Sequence, residues 1–248
     1  MRNLAVRHVI TAVALTAFSL GAAPAGATTA HARPPMPQGV APAPVVATPT
    51  SAWAKRLPDS TRQVVRTVSS DFWCHRVYCT VTQAWQKQRG VWRVVKHFRS
   101  TIGVRGWGKK REGDTRSPDG VRRIKVTFST GRHAPGAMPW KRRLPTSSVS
   151  ARPGRLYNTW IEERGRTDGN RPSMRFGFVV DYNRVRLRPY VGPKPRAGKG
   201  SGIFYHTSRP GHRWAPTLGC TQIGNVRNMK WLVRWLRPGA HPRVVQNL

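Results

Sequence analysis

The chain has 248 residues, of which 38% are hydrophobic, enough for one domain with a sizeable core. Its 44 lysines and arginines stand against 9 acidic residues, which gives a formal net charge of +35. This charge argues against a polycationic binding partner and predicts a polyanionic one, the alternative being a solvated basic surface that only keeps the protein soluble.

The first 32 residues have the pattern of an export signal. Arg2 and Arg7 precede an uncharged apolar run over 9–23, and small residues suited to cleavage follow it. The run is shorter than the roughly 20 residues that span a bilayer, which leaves an uncleaved anchor as the alternative. We therefore expect a secreted, extracytoplasmic protein. Outside the cell the available polyanions are anionic cell-wall polymers, so nucleic acid is not an expected partner.

Residues 33–52 are rich in Pro and Ala and predict an extended linker. A mostly β domain is expected over 53–248, with N-terminal strands in 53–100. Short runs with β-branched, aromatic or alternating residues are divided by Gly and Pro, as is typical of strands and turns. The predicted strands are TRQVVRTV (61–68), YCTVTQAWQ (78–86), VWRVVKHF (91–98), RFGFVVDY (175–182), GIFYH (202–206) and PRVVQNL (242–248).

One helix is predicted near the C-terminus, over 226–236. Asn225 is a suitable N-cap, and Pro238 and Gly239 follow the last turn. Four apolar side chains fall on one face of this helix: Met229, Leu232, Val233 and Leu236.

The chain has three cysteines. Cys74 and Cys79 lie five positions apart where two predicted strands meet, and an oxidising compartment would let them form a disulfide. Zinc is disfavoured because no second Cys or His pair stands at ligand spacing, so no metal is expected. If those two pair, Cys220 is the odd thiol. Pairing of Cys220 with either one, or a buried structural thiol, remains the alternative.

The segment before Cys220 contains two histidines. His206 ends an apolar run, whereas His212 lies inside the loop over 207–216. A histidine fixed at a strand end is the better general base, because catalysis requires both groups to be held at hydrogen-bonding distance. Gly219 allows a close backbone approach to a substrate. We expect a Cys220 nucleophile served by His206, with His212 as the alternative base.

These residues resemble the L,D-transpeptidase catalytic-domain family of bacterial cell-wall enzymes, in which a strand-end His, a loop and Ser/Thr-x-Gly-Cys follow one another. Thr217, Gly219 and Cys220 fit that motif. Leu218 and Gln222 depart from it, because many members have His and Arg there. Sortases, a minor alternative among the enzymes, share the His-before-Cys order but not this short spacing. Further segments that resemble the family are KKREGDTRSPDGV (109–121), YNTW (157–160), VVDYN (179–183) and GSGIFYH (200–206).

The resemblance implies a β-sandwich L,D-transpeptidase-like domain and a cysteine acyltransferase that needs neither a metal nor an organic cofactor. Cys220 would form a thioester with a peptidoglycan stem peptide, and His206 would move the protons with Thr207 holding its ring. The amides of Gly219 and Cys220 would form the oxyanion hole. The product would be a 3-3 cross-link or a trimmed terminal D-Ala.

Four side chains are candidates for substrate binding: Tyr205, Thr217, Tyr157 and Trp160. For Tyr157 and Trp160 the alternative is a place in the core. A monomer is expected. The competing hypothesis is a basic module that binds wall polymers or other polyanions without catalysis.

Overall fold

The computed structural model describes residues 46–47, 51–167, 169, 171–187 and 193–248. The predicted export signal, 1–32, lies outside the described residues, as does most of the predicted linker. Within the described ranges, no helix combines the length and the apolar character needed to cross a membrane.

Strands dominate the described part of the chain. They are β1 (Val46–Ala47), β2 (Gln63–Ser69), β3 (Cys79–Gln88), β4 (Val91–Thr101), β5 (Gly120–Ser129), β6 (Trp140–Arg142), β7 (Ser147–Val149), β8 (Trp160–Glu162), β9 (Phe176–Val180), β10 (Phe204–Thr207), β11 (Thr221–Ile223) and β12 (Arg243–Gln246). One α-helix, α1, spans Val226–Trp235, and short 3-10 helices span Ala54–Arg56, Pro172–Met174 and Pro238–Ala240. The predicted mostly β fold with one helix near the C-terminus is confirmed.

The main sheet closes on itself. Its strands follow the order β4-β11-β10-β9-β5-β12-β2-β3, and β3 also pairs with β4. The predicted β-sandwich is therefore realised as a barrel-like sheet. Of the remaining strands, β1 pairs with β4, β6 pairs with β5, and β7 pairs with β8 in a separate two-stranded sheet.

Two parallel pairs interrupt the otherwise antiparallel ring. β10 runs parallel to β11, and β2 runs parallel to β12. A parallel neighbour cannot be reached by a tight hairpin, so the chain must leave β10 and return to the same end before β11 begins. The residues between Thr207 and Thr221 make this crossover, which carries Cys220 to the start of β11 beside β10.

The helix α1 packs on the sheet through its apolar face. Asn225 caps it as predicted, since its side-chain oxygen accepts a hydrogen bond from the Asn228 amide at 2.8 Å. The four side chains on the predicted face are fully buried in the largest core cluster, beside residues of the strands. Burial of each such side chain contributes roughly 1.5–3 kcal/mol, so this face fixes the helix against the barrel.

The disulfide prediction is confirmed. Cys74 and Cys79 are bridged, with their Cα atoms 5.9 Å apart, at the entry to β3. Cys220 is a free, half-buried thiol. The alternative pairing of Cys220 with either of the other two cysteines is therefore wrong for this structure.

Candidate active site

His206 lies in β10, and Cys220 immediately precedes β11, the parallel neighbour of β10. In the register of β10 and β11, His206 stands beside Gln222, which follows Cys220 by two residues. Side chains two residues apart on a strand point to the same face. Phe204, two residues before His206, belongs to the cluster against which Cys220 packs. The fold therefore brings the predicted nucleophile and base to one face, diagonally across the strand pair.

The turn before Cys220 is held by side-chain hydrogen bonds. The Thr217 hydroxyl donates to the Cys220 carbonyl at 2.6 Å and accepts from the Gly219 amide at 3.1 Å. Thr217 thus shapes the turn, which is a different task from the predicted substrate contact. The Gly219 amide is engaged within the turn, so the predicted use of this amide in an oxyanion hole is not available in this geometry.

Gly219 is required by its surroundings. Its φ is +141°, and a Cβ there would lie 2.9 Å from the Arg116 carbonyl oxygen. The Gly219 carbonyl accepts a hydrogen bond from the Ser117 hydroxyl at 2.7 Å, and the Ser117 hydroxyl in turn accepts one from the Gly103 amide at 3.0 Å. The segment around Arg116 and Ser117 therefore supports the cysteine turn from behind.

The Cys220 thiol points toward a backbone carbonyl. Its Sγ donates to the Gly202 carbonyl at 3.3 Å. Burial raises the pKa of the thiol to about 11, although a backbone hydrogen bond from Phe204 and the charges of Lys109 and Arg143 act in the opposite direction. The resting site consequently holds a neutral thiol.

His206 is buried and neutral. Burial lowers the pKa of its imidazole to about 4; hydrogen bonds with the Thr207 and Ser173 backbones oppose this shift, and the charge of Arg143 adds to it. Nδ1 lies 2.7 Å from the Thr207 carbonyl oxygen, which can only accept, so Nδ1 carries the proton and Nε2 is the basic nitrogen. The Thr207 carbonyl orients the ring. The Thr207 hydroxyl does not contact the ring and donates to the Pro172 carbonyl at 3.3 Å.

The two departures from the family motif have different surroundings. Gln222 donates from its side-chain amide toward the carbonyls of His212, Arg213 and Ala215, at 3.3, 3.3 and 3.4 Å. It therefore holds the crossover loop against β11. Leu218 is 79% exposed beside the thiol turn. His212 itself is exposed in that loop, whereas His206 is fixed on the face shared with Cys220.

A buried ion pair stands next to the thiol turn. Lys109 Nζ lies 2.9 Å from Asp114 Oδ1, and the two side chains are only 2% and 9% exposed. Burial alone would raise the pKa of Asp114, but hydrogen bonds from the Arg111 amide, from Lys109 and from the amides of Lys110 and Arg116 hold it well below its usual range. Lys109 Nζ is 3.7 Å from the position that a Cβ on residue 219 would take. Sequence reasoning did not find this pair, because its partners are brought to residue 219 only by the fold.

Arg143 is a second buried cation near the site. It is 5% exposed, and its guanidinium carbon lies 5.2 Å from the Trp160 ring centroid and 5.9 Å from that of Phe128. These aromatic rings belong to the cluster under Cys220. Trp160 thus lies below the thiol and is 93% buried. It occupies the core, which was the alternative to substrate binding for this residue.

Both predicted tyrosines are buried. The Tyr157 hydroxyl donates to Glu112 Oε2 at 2.7 Å and accepts from the Gly200 amide at 2.8 Å, and burial together with Glu112 raises its pKa to about 12. Tyr205 is fully buried, and its hydroxyl shares a hydrogen bond of 2.7 Å with Thr67. Tyr205 therefore belongs to the core, where a substrate contact is not possible, and Tyr157 connects two loops.

Two asparagines inside the family-like segments position the backbone around the thiol. Asn158 Oδ1 accepts from the Gly202 amide at 3.0 Å, and Gly202 provides the carbonyl that faces Cys220. Asn183 donates to the Gly200 carbonyl at 2.8 Å. Both asparagines have positive φ, 51° and 52°, a conformation that Asn tolerates better than most residues. The segments YNTW and VVDYN were noticed in the sequence, but these roles were not.

Comparison with solved structures gives distant fold similarity. The helical cell shape determining protein Pgp2 from Campylobacter jejuni is 17% identical, with a TM-score of 0.42, over 76% of this chain and 48% of that chain. Its K307A mutant is 16% identical, also with a TM-score of 0.42, over 77% of this chain and 48% of that chain. The chain thus spans about half the length of these structures.

Comparison with curated protein sequences gives no match. The profile of the YkuD family, described as the L,D-transpeptidase catalytic domain, matches residues 76–245. This match covers more than half of the chain and includes both Cys220 and His206. The chain belongs to the L,D-transpeptidase catalytic-domain family.

Proposed function

We propose that the protein is an exported L,D-transpeptidase that acts on peptidoglycan stem peptides through a thioester on Cys220. The observation that carries this proposal is the placement of Cys220 and His206 on one face of the parallel pair β10 and β11, in a chain of this family. Peptidoglycan and, through the charge of +35, anionic wall polymers are the proposed partners.

In the proposed first step, Cys220 Sγ attacks the carbonyl carbon of the third stem residue. His206 Nε2 accepts the thiol proton as the sulfur–carbon bond forms. Because the thiol is neutral at rest, this transfer accompanies the attack and does not precede it. The tetrahedral intermediate collapses by breaking the bond to the terminal D-alanine, whose amine takes the proton from His206. A thioester remains on Cys220.

In the second step, an amine from another stem attacks the thioester. His206 takes a proton from this amine, the new amide forms, and Cys220 leaves as a thiolate that regains the proton. The product is a 3-3 cross-link. When water takes the place of the amine, the same steps remove D-alanine only, which is the carboxypeptidase outcome.

Two buried cations are placed to support the negative charge of this mechanism. Lys109 and Arg143 both lower the pKa of the Cys220 thiol. The same charges would stabilise the developing thiolate and the oxyanion. With the Gly219 amide engaged by Thr217, we assign the oxyanion contact to the Cys220 amide.

A binding module without catalysis is the second candidate, and one observation favours it. Among the described residues no hydrogen bond joins Cys220 to His206; the thiol donates to the Gly202 carbonyl and its pKa is raised. In that case the large positive charge would be the functional feature, and wall binding would weaken steeply with salt.

Intact mass spectrometry of the secreted protein, with and without a carbapenem, separates the two candidates. Attack of Cys220 on the strained lactam carbonyl should leave one adduct, which peptide mapping should assign to Cys220. Cys220→Ser should show no adduct, His206→Ala should slow its formation by a factor of at least 100, and His212→Ala should behave like the natural protein.

Incubation with a synthetic tetrapeptide stem then gives the reaction. Release of D-alanine together with a peptide dimer supports transpeptidation, and release without a dimer supports the carboxypeptidase outcome. Absence of any adduct on a thiol that iodoacetamide still modifies, with salt-sensitive wall binding retained, would overturn the enzyme proposal in favour of the binding module.

A further inference from the structure

A cavity of about 590 Å³ lies away from Cys220 and His206, between β5, β12 and the turn that precedes β12. The described residues that line it are apolar, basic or neutral, and none of them is acidic. The basic side chains that line it are Arg123, Lys125, His241 and Arg243, and Ser60 adds a hydroxyl.

Two of these cations are direct neighbours across the sheet. Arg243 of β12 stands opposite Arg123 of β5 in the antiparallel register. Like charges in this position destabilise a sheet. Burial lowers the pKa of Arg243, and the charge of Arg123 lowers it further. The strand pairing therefore holds two arginines together against their repulsion.

An acidic neighbour offsets the cost of this arrangement only in part, and without an ion pair. Asp181 is near enough to stabilise the charge of Arg243, yet neither Arg123 nor Arg243 forms an ion pair with any residue in the described ranges. In addition, Arg243 Nε is buried and has no hydrogen-bond partner in the described part of the chain. A buried donor without a partner costs free energy, which adds to the cost of holding two arginines together.

Lys125 is directed to the same cavity at an irregularity of β5. The pairing of β5 with β9 shifts register between Ile124 and Thr127, so that one additional residue is accommodated there. Bulges of this kind redirect side chains and are common beside functional sites. The result is a group of cations with a hydroxyl at one side and apolar walls that include Met138, Pro139 and Pro242.

We propose that this cavity binds a phosphate ester, with the phosphate group between Arg123 and Arg243 and the organic body against the apolar wall. A guanidinium binds phosphate oxygens with two parallel hydrogen bonds, and several cations around one group suit a phosphate better than a singly charged carboxylate. The source can be a small phosphate ester or the phosphodiester chain of an anionic wall polymer, since both present the same chemistry.

The test is calorimetric titration of the full secreted chain with glycerol 3-phosphate, at an ionic strength held constant with KCl. Saturable binding is expected for the natural protein and for Arg89→Gln/Arg132→Gln, which removes two exposed arginines in turns. The variant Arg123→Gln/Arg243→Gln should bind at least tenfold more weakly. Arg243→Lys keeps the charge but loses the paired donors of the guanidinium, and it should give an intermediate affinity.

Equal weakening in the two double variants would overturn the site, because it would show that net charge alone governs binding. Inorganic phosphate that binds as tightly as glycerol 3-phosphate would overturn the role of the apolar wall. Poly(glycerol phosphate) distinguishes the source. Loss of polymer binding in Arg123→Gln/Arg243→Gln supports a wall polymer as the ligand, and loss of only the small ester supports a small phosphate ester.

Unfolding in urea without phosphate provides an independent measurement. Removal of the repulsion between the two arginines should leave Arg123→Gln/Arg243→Gln at least as stable as the natural protein. Neither arginine lies at the thiol, so carbapenem acylation of Cys220 should proceed at the natural rate in this variant. Failure of the phosphate-site proposal can thereby be distinguished from failure of the transpeptidase proposal.

Discussion

Asp114 and Glu163 are both acidic residues paired with cations, but their surroundings differ. Asp114 is 9% exposed and lies 2.9 Å from a Lys109 side chain that is 2% exposed. Glu163 is 28% exposed and contacts Arg152 and Arg166, which are 78% and 40% exposed. The comparison teaches that an ion pair in so basic a chain contributes more to stability when it is buried, because solvent and salt screen the exposed pairs.

The largest expected effect is that of Asp114→Asn. The substitution leaves the buried ammonium of Lys109 without its counter-charge, and breaking a buried pair in this way costs about 3–5 kcal/mol. The free energy of unfolding in urea at pH 7 measures it. A loss no greater than that caused by Glu163→Gln would show that burial does not distinguish the two carboxylates.

The same comparison can be made by lowering the pH. The folded-state pKa of Asp114 lies below its usual range, so its stabilisation is complete above the unfolded-state value of about 3.9 and is lost as the pH falls through the folded value. The urea midpoint of the natural protein should therefore fall steeply below about pH 4. The fall should be shallower in Asp114→Asn and unchanged in Glu163→Gln.

A smaller effect is expected at the thiol. Lys109→Met removes a charge that lowers the pKa of Cys220, so the thiol pKa should rise, and the thiolate fraction falls tenfold for each unit of that rise. Between pH 7 and 10, below this pKa, the rate of alkylation by iodoacetamide is proportional to the thiolate fraction and so reports the change in the pKa; the other two cysteines are bridged and do not react. Lys109→Arg should restore the rate, and Arg166→Met on the exposed pair should not alter it. An unchanged profile in folded Lys109→Met would remove Lys109 from the mechanism.

The smallest effect belongs to the exposed pairs. Glu163→Gln should lower the free energy of unfolding by less than about 1 kcal/mol, because the charges are screened and the side chains lose entropy when they pair. In about 1 M salt, where the Debye length is roughly 3 Å, the difference should vanish. A loss above about 2 kcal/mol would contradict this prediction, because it would show that the exposed pair of Glu163 stabilises the protein as strongly as a buried one.

The strands that alternate apolar and polar residues were predictable from the sequence, but β5 was not. It contains Arg122, Arg123 and Lys125 and follows a segment rich in turn residues. Its buried positions become continuous only from Val126, where β5 pairs with both β9 and β6. A strand of this kind is stabilised by neighbouring strands that are far away in sequence, so its own residues show no strand pattern.

The site was predictable as far as its motifs extend. The strand-end position of His206 and the glycine before Cys220 indicated a nucleophile and a base. The sequence could not show that Ser117 would support the turn across 102 positions, or that Asn158 would hold Gly202 across 44. Such hydrogen bonds are set by the closure of the barrel. For the same reason Tyr205, adjacent to His206, is directed to the opposite face and into the core.

Gln222 has a consequence for the conditions in which the crossover loop keeps its shape. Its amide carries no net charge, does not titrate, and reaches three backbone carbonyls of the loop. A cation in its place would be attracted to dissolved anions, and that attraction would change with every change of salt. The crossover loop is thus held by hydrogen bonds that neither a change of pH nor a change of salt concentration weakens directly.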